Sequence, residues 1–323
     1  MKAICQSQQG GVETLFVKQL RRPVPKAGEV LIRVSHAGIN RPDILQREGL
    51  YRASASHSPV LGLEVSGWVE RLGADVDHSW LGQSVCALCD GGAYAEYVCV
   101  AVSQVLFVPK SMSMAQAAAL PEALFTSWFN LIDNASLKEG ERVLIHGAAG
   151  GLGHIALQLS LWRGARVVVT AGSEAKLAFC KGLGAHWQMN YKEEALLDYV
   201  PKHIPGKQLD LILDYIGGDY IQQHINLAAD KARIIQLGFQ QGAQVELNLM
   251  RLMLKRICLT GSTLRIRSRS EKAQICSAIK KNLLADIHLI NVHVAEQFAL
   301  ADVAAAHEKM ERGDYCGKLV LKV

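Results

Sequence analysis

The segment Val143-Leu144-Ile145-His146-Gly147-Ala148-Ala149-Gly150-Gly151-Leu152-Gly153 restricts the fold more than any other part of the chain. An apolar run enters a glycine-rich turn, and an apolar helical stretch over 152–163 begins at once. In that setting Gly150 and Gly151 let the backbone approach a pyrophosphate, and Gly153 lets the helix pack closely on the strand. The helix N-terminus adds N–H groups and a dipole that favour the anion. The first glycine of the usual G-x-G-x-x-G pattern is Ala148 here, so the signal is the strand-turn-helix context rather than the pattern itself.

The residues around this turn alternate in the same way. Strands are predicted at 142–146, 166–170, 187–190, 209–214, 233–237 and 257–261, with helical stretches such as 174–183 between most of them. Six strands with helical crossovers predict a doubly wound parallel sheet. The first hundred residues read differently. Strands at 29–34, 64–69 and 93–98, with turns at Gly28, Gly73, Gly82 and Gly91-Gly92, predict a small β-rich domain. An Ala-rich helical stretch at 113–132, interrupted at Pro121, marks the boundary. Past Gly261 come a basic loop, a helix near 271–284 and a terminal strand at 318–321. A length of 323 residues suits two domains, and the class is α/β.

Composition removes several function classes. Half the residues are hydrophobic and a fifth charged, enough for sizeable cores, and a net charge of +5 is too mild to mark a nucleic-acid protein. The eight cysteines are scattered, with Cys86 and Cys89 the one close pair. That is neither a disulfide framework nor a four-ligand metal site, and reduced thiols point to the cytoplasm. No apolar stretch suggests a signal peptide or a membrane span.

A fold that binds NAD places a carboxylate at the end of the second strand, about twenty residues past the turn. Here the chain reads Val169-Thr170-Ala171-Gly172-Ser173, then Glu174-Ala175-Lys176. A hydroxyl and a lysine replace the carboxylate, which favours the extra phosphate of NADPH. The alternative is that Ser173 only caps its helix and Lys176 lies on a solvated face.

With these residues in view, the chain resembles the zinc-free quinone oxidoreductase (zeta-crystallin-like) branch of the medium-chain dehydrogenase/reductase superfamily. It is most similar to the tumour-suppressor-inducible group of that branch. The likeness runs through Gly38-Ile39-Asn40-Arg41-Pro42-Asp43, Gly49-Leu50-Tyr51, Leu61-Gly62-Leu63-Glu64-Val65-Ser66-Gly67 and Pro121-Glu122-Ala123. It continues through the turn, Asn190-Tyr191, Gly261-Ser262-Thr263-Leu264-Arg265 and Gly317-Lys318-Leu319-Val320-Leu321. The resemblance implies a GroES-like catalytic domain from both chain ends (1–122 and 264–323) around a Rossmann NADPH-binding domain (123–263).

It also implies site residues. Asn40 and Tyr51 line a cleft beside the nicotinamide as catalytic candidates, with Thr126 at the nicotinamide end. Gly150, Gly151 and Leu152 meet the pyrophosphate, and Ser173, Lys176 and Tyr191 surround the 2′-phosphate. Gly238, Phe239, Leu264 and Arg265 contact the reactive half of the cofactor, and Lys318 is a further contact. Zinc alcohol dehydrogenases of the superfamily carry a metal-binding Cys where this chain has Asn40 and a His where it has Leu63, so no metal is expected.

Without a Lewis acid a saturated alcohol is a poor hydride donor, whereas a quinone or enone is already electrophilic. The expected reaction is therefore NADPH-dependent reduction of a small quinone in a cleft between the domains, by a homodimer paired through the edge strand at 257–261. A 2-enal, 2-enone or enoyl thioester is the alternative substrate. An NADPH- and RNA-binding protein without turnover is a third reading, carried by Arg265-Ile266-Arg267-Ser268-Arg269. That stretch lacks the interleaved aromatics of single-strand binders, so a solvated or interface loop is expected there.

Overall fold

Parallel strands covered on both faces have no polar side to present, which is why Arg166–Ala171 and Leu209–Asp214 carry apolar residues at consecutive positions. The sheet they belong to runs Trp187–Asn190, Arg166–Ala171, Arg142–His146, Leu209–Asp214, Ala228–Gln236 and Cys258–Gly261, every pair parallel. Strand order reverses beside Arg142–His146, the switch point of a doubly wound sheet, where ligands gather outside the carboxyl ends of the strands. Val143, Leu144, Ile145, Val167, Val168, Val169, Leu211, Ile212 and Leu213 are at most 1% exposed and form its core. The helix Gly153–Trp162 packs so closely that a Cβ at Gly153 would lie 2.6 Å from the Ala148 backbone. Only glycine fits there.

This computed structural model describes residues 1–51 and 58–323. The parallel sheet belongs to one compact unit, Thr126–Thr263. The other unit is Met1–Phe125 with Leu264–Val323. Its hub is the strand Glu29–Gly38, paired antiparallel with Glu64–Leu72, Tyr97–Ala101 and the terminal Lys318–Lys322. Val30, Ile32, Val65, Val85, Leu319 and Leu321 fill its core, so the last residues of the chain are as deeply set as the first strands. The helix Arg269–Asn282 opens on a reciprocal cap, Ser268 with Glu271.

Three elements differ from the sequence expectation. The strand expected at 93–98 begins only at Tyr97. Ala93 and Tyr94 instead donate their N–H groups to Gly62 and Leu61, so their alternating apolarity reports burial without a ladder. The helical stretch at 113–132 is two helices, Met114–Ala118 and Pro121–Trp128, with Pro121 opening the second, followed by a wider π turn at Phe129–Asn134. The strand expected at 233–237 starts earlier, at Ala228.

The eight cysteines are free thiols. Among the described residues no helix is long and apolar enough to cross a membrane.

Candidate functional site

In the unit Thr126–Thr263 the candidate residues gather at the carboxyl ends of the strands. After Arg142–His146 the chain turns through Gly150 and Gly151 into Leu152, which stands at the N-cap of Gly153–Trp162. A Cβ at Gly150 would meet only the Gly147 carbonyl, at 3.3 Å, so the turn leaves a hollow directly above its backbone. First-turn amides of a helix have no acceptor four residues back, and here they border that hollow. The donor set and the space suit a pyrophosphate.

At the next strand end, Ser173 occupies the N-cap position of Glu174–Gly182, but its side chain makes no capping hydrogen bond. Tyr191, just past Trp187–Asn190, folds back across the neighbouring loop. Its hydroxyl would lie 2.4 Å from a Cβ at Gly172, so a side chain there would push the phenol aside. Ser173 is exposed, Tyr191 is 49% exposed and Lys176 is half-buried one turn further on. The Tyr191 phenol thus stands over Gly172, next to Ser173, with the Lys192 stem 3.2 Å from a Cβ at Gly172, and Ala171 rather than a carboxylate closes the strand. Such a set suits a phosphate monoester, although the exposed Glu174 stands beside it. Gly238 and Phe239 follow Ala228–Gln236; a Cβ at Gly238 would stand 3.2 Å from the Tyr215 carbonyl, and Phe239 is 58% exposed. Thr126 is 8% exposed and its carbonyl accepts from Asn130.

The remaining candidates belong to the other unit. Asn40 caps the helix Arg41–Arg47 in a reciprocal box with Asp43. Its side chain is held at both ends, Nδ2 donating to Glu64 Oε1 at 2.8 Å and Oδ1 accepting from the Lys318 ammonium. Lys318 also pairs with Glu64, whose other oxygen accepts from the Glu122 N–H at 2.9 Å. Asn40, Glu64 and Lys318 are 7%, 0% and 1% exposed. The Lys318 ammonium is thus buried between Asn40 and Glu64. Asp43 accepts from the Asn40 and Gly62 N–H groups and from the Tyr94 hydroxyl. Burial raises its pKa to about 6, against the pull of those donors and of the Lys318 and Arg265 charges.

The Arg265 guanidinium sits 5.2 Å over the Tyr51 ring and donates to Gln46. It is 7% exposed, and its Nε and Nη1 have no partner among the described residues. Burial lowers its pKa. Two buried cationic donors without a partner among the described residues can take a further acceptor. Leu264, beside it, is 8% exposed. The rest of the basic stretch is ion-paired, Arg267 with Glu271 and Arg269 with Glu29, both at 2.8 Å.

Glu64, Tyr94 and the anchoring role of Asp43 were not read from the sequence. The spacing of Asn40 and Asp43 as cap and third helical residue could have exposed the last of these. Among the described residues no group of three or more His, Cys, Asp or Glu side chains could hold a metal ion.

Two family models match the chain, "Alcohol dehydrogenase GroES-like domain" over residues 26–110 and "Zinc-binding dehydrogenase" over residues 151–279. The human quinone oxidoreductase is 30% identical over 99% of this chain and 97% of its own length. The structure of Escherichia coli quinone oxidoreductase complexed with NADPH superposes with a TM-score of 0.88 at 28% identity, covering all of both chains. That of CurK enoyl reductase does so with a TM-score of 0.87 at 26% identity, covering 99% of this chain and 98% of that one.

Proposed function

The chain belongs to the quinone oxidoreductase family of medium-chain dehydrogenases/reductases, and on that premise we propose that it reduces a small quinone with NADPH, without a metal. The observation that carries the metal-free part is the Lys318 ammonium on Asn40 and Glu64. Where the zinc enzymes of the superfamily have a thiolate ligand, this chain has an amide already bound to a cation. A divalent ion beside that ammonium would meet strong repulsion.

Bound NADPH supplies the hydride. The chain's own part is binding, orientation and a fixed set of donors. Gly151 and Leu152 hold the pyrophosphate on backbone N–H groups, Gly150, whose N–H donates to the Gly147 carbonyl at 2.9 Å, lets it come close, and Ser173, Lys176 and Tyr191 hold the 2′-phosphate. Gly238, Phe239, Leu264 and Thr126 surround the reactive half, and Arg265 donates to it from Nε or Nη1. The Tyr51 hydroxyl and the second N–H of Asn40 Nδ2 donate to the quinone oxygen as negative charge develops there. Lys318 and Glu64 keep the Asn40 amide in one orientation. Solvent delivers the proton to the reduced quinone.

The likeness to an enoyl reductase supports a second reading, reduction of a 2-enone or enoyl thioester by the same residues. The protein works in the cytoplasm, as its free thiols suggest. It pairs two-fold through the edge strand Cys258–Gly261, where the helix Leu249–Leu254 exposes Leu249, Met250, Met253 and Leu254. A steady-state NADPH-oxidation screen over a quinone, an enone and a primary alcohol tests the central claim.

A further inference from the structure

Beneath the glycine turn, four buried polar side chains meet that the hydride chemistry leaves unexplained. His146 ends Arg142–His146, Thr170 lies in the neighbouring Arg166–Ala171, and Asp214 ends Leu209–Asp214 on the other side. The fourth, His224, comes from the helix Tyr220–Leu227. All four are at most 2% exposed. Thr170 Oγ1 lies 2.9 Å from His146 Nδ1, and His146 Nε2 lies 2.8 Å from His224 Nε2. His224 Nδ1 faces Asp214 Oδ2 at 3.4 Å, while Asp214 Oδ1 accepts the N–H groups of Ile216 at 2.6 Å and Gly217 at 3.1 Å. The Tyr220 ring stands edge-on against His146 and closes one side.

The protons in this chain are determined by elimination. Burial pushes the Asp214 pKa up, but His224 and the two backbone donors outweigh it and hold the group below the usual carboxylate range. The 3.4 Å approach of His224 Nδ1 to Asp214 Oδ2 is a close contact without hydrogen-bond geometry; an ionised carboxylate only accepts, so the proton facing it is on His224 Nδ1. With one proton per ring, His224 therefore carries its proton on Nδ1. Its Nε2 then carries a lone pair, and His146 must donate to it from Nε2. That leaves His146 Nδ1 to accept from the Thr170 hydroxyl. Burial, and then His224, push the His146 pKa down to about 3, consistent with a neutral ring.

We propose that this one-way chain, Thr170 to His146 to His224 to Asp214, positions the three loops that hold the cofactor, with His224 as a positioning residue that never touches it. The inference rests on the cofactor reading above. Each loop starts at or next to a member of the chain. Gly147 and the pyrophosphate turn follow His146, Gly172 and Ser173 lie just past Thr170, and Tyr215–Gly218, whose carbonyls accept from the Gln240 and Gln241 N–H groups just past Gly238 and Phe239, follows Asp214. The main-chain ladder between Arg142–His146 and Arg166–Ala171 already pairs His146 with Thr170, but the one to Leu209–Asp214 stops at Ile145 and Leu213, so His224 is what reaches from His146 to Asp214 under the loops. The geometry of a bound phosphate is sensitive to shifts well under an ångström, so a slack link there weakens binding.

The test uses His224→Phe and the isosteric Thr170→Val in the full chain, with His224→Gln as the conservative variant that can still accept from His146. Nitrogen-15 NMR of histidine-labelled wild type should show His146 protonated at Nε2 alone and His224 at Nδ1 alone. Calorimetric titration should show NADPH affinity falling about tenfold in His224→Phe, the effect of losing one buried hydrogen bond. Thr170→Val should lose less, and His224→Gln should recover part of the loss. If the phenylalanine variant does not fold, Thr170→Val carries the affinity test. Variants that melt lower yet bind NADPH as tightly as wild type would overturn the positioning role, and a doubly protonated His224 or the reverse tautomers would overturn the chain's direction. Wild type that does not bind NADPH would remove the cofactor reading and this role with it, while the tautomer spectrum still decides the chain itself.

Discussion

The Lys318 ammonium lies 2.5 Å from the side-chain oxygen of Asn40, joining the terminal strand to the first residue of the helix Arg41–Arg47's cap. Both residues share Glu64, which is fully buried. Removing one partner of such a pair leaves a charge in a place water does not reach, at a cost of about 3–5 kcal/mol. Lys318→Met should therefore destabilise the protein by that amount in urea unfolding. The double variant with Glu64→Gln should recover most of it, because the stranded charge is then gone. A loss below about 1 kcal/mol, the scale of an ordinary surface substitution, would show that the pair does not carry the burial assigned to it.

Cofactor choice follows from Ser173, Lys176 and Tyr191. A charge-assisted contact to the 2′-phosphate adds about 1.5–3 kcal/mol, so NADPH should bind at least about tenfold more tightly than NADH. Lys176→Ala should narrow that gap while leaving NADH affinity where it was. Equal dissociation constants for the two cofactors in wild type would contradict the assignment.

The edge strand gives a prediction about assembly. Cys258–Gly261 has one paired side, to Ala228–Gln236, and Leu259 is 37% exposed. Light scattering at micromolar concentration should report a dimer, and Leu259→Lys combined with Met253→Lys should shift it toward monomer. A wild type that stays monomeric at that concentration would count against pairing through this edge.

Acid stability depends on three buried groups that pull in opposite directions. Burial lowers the pKa of His146 and of His307 to about 3, so each contributes stability that is present above the unfolded value near 6.5 and is lost as pH falls toward 3. Burial raises Asp43 to about 6, so its contribution is present below the unfolded value near 3.8 and is lost as pH rises through 6. Two histidines outweigh one carboxyl. Thermal melts should fall steadily from pH 6.5 to pH 4, and His307→Gln should flatten the slope. Melting temperatures that climb over that window would contradict the balance.

The parallel sheet is legible in the sequence because strands such as Arg166–Ala171 and Leu209–Asp214 carry three consecutive apolar residues at their centres. The turn at Gly150–Gly153 and the missing carboxylate after Arg166–Ala171 are local signals of the same kind. The contacts that hold the candidate site are not local. Lys318 reaches Glu64 across 254 positions and His146 reaches His224 across 78, and no spacing rule links such pairs. Apolar alternation misleads at Ala93 and Tyr94, which pack into the core while their N–H groups donate to Gly62 and Leu61 rather than to a sheet ladder. Arg265–Arg269 reads as an exposed basic run, yet Arg265 is buried over Tyr51 and its neighbours are paired.

The most direct test of the account is steady-state turnover of the purified protein with a naphthoquinone, an enone and, in reverse with NADP, a primary alcohol, each before and after chelation. The account predicts rapid NADPH oxidation with the quinone, unchanged by chelator and lowered modestly in kcat by Tyr51→Phe, and no oxidation of the alcohol. Alcohol oxidation that chelation abolishes, with no quinone reduction, would contradict it.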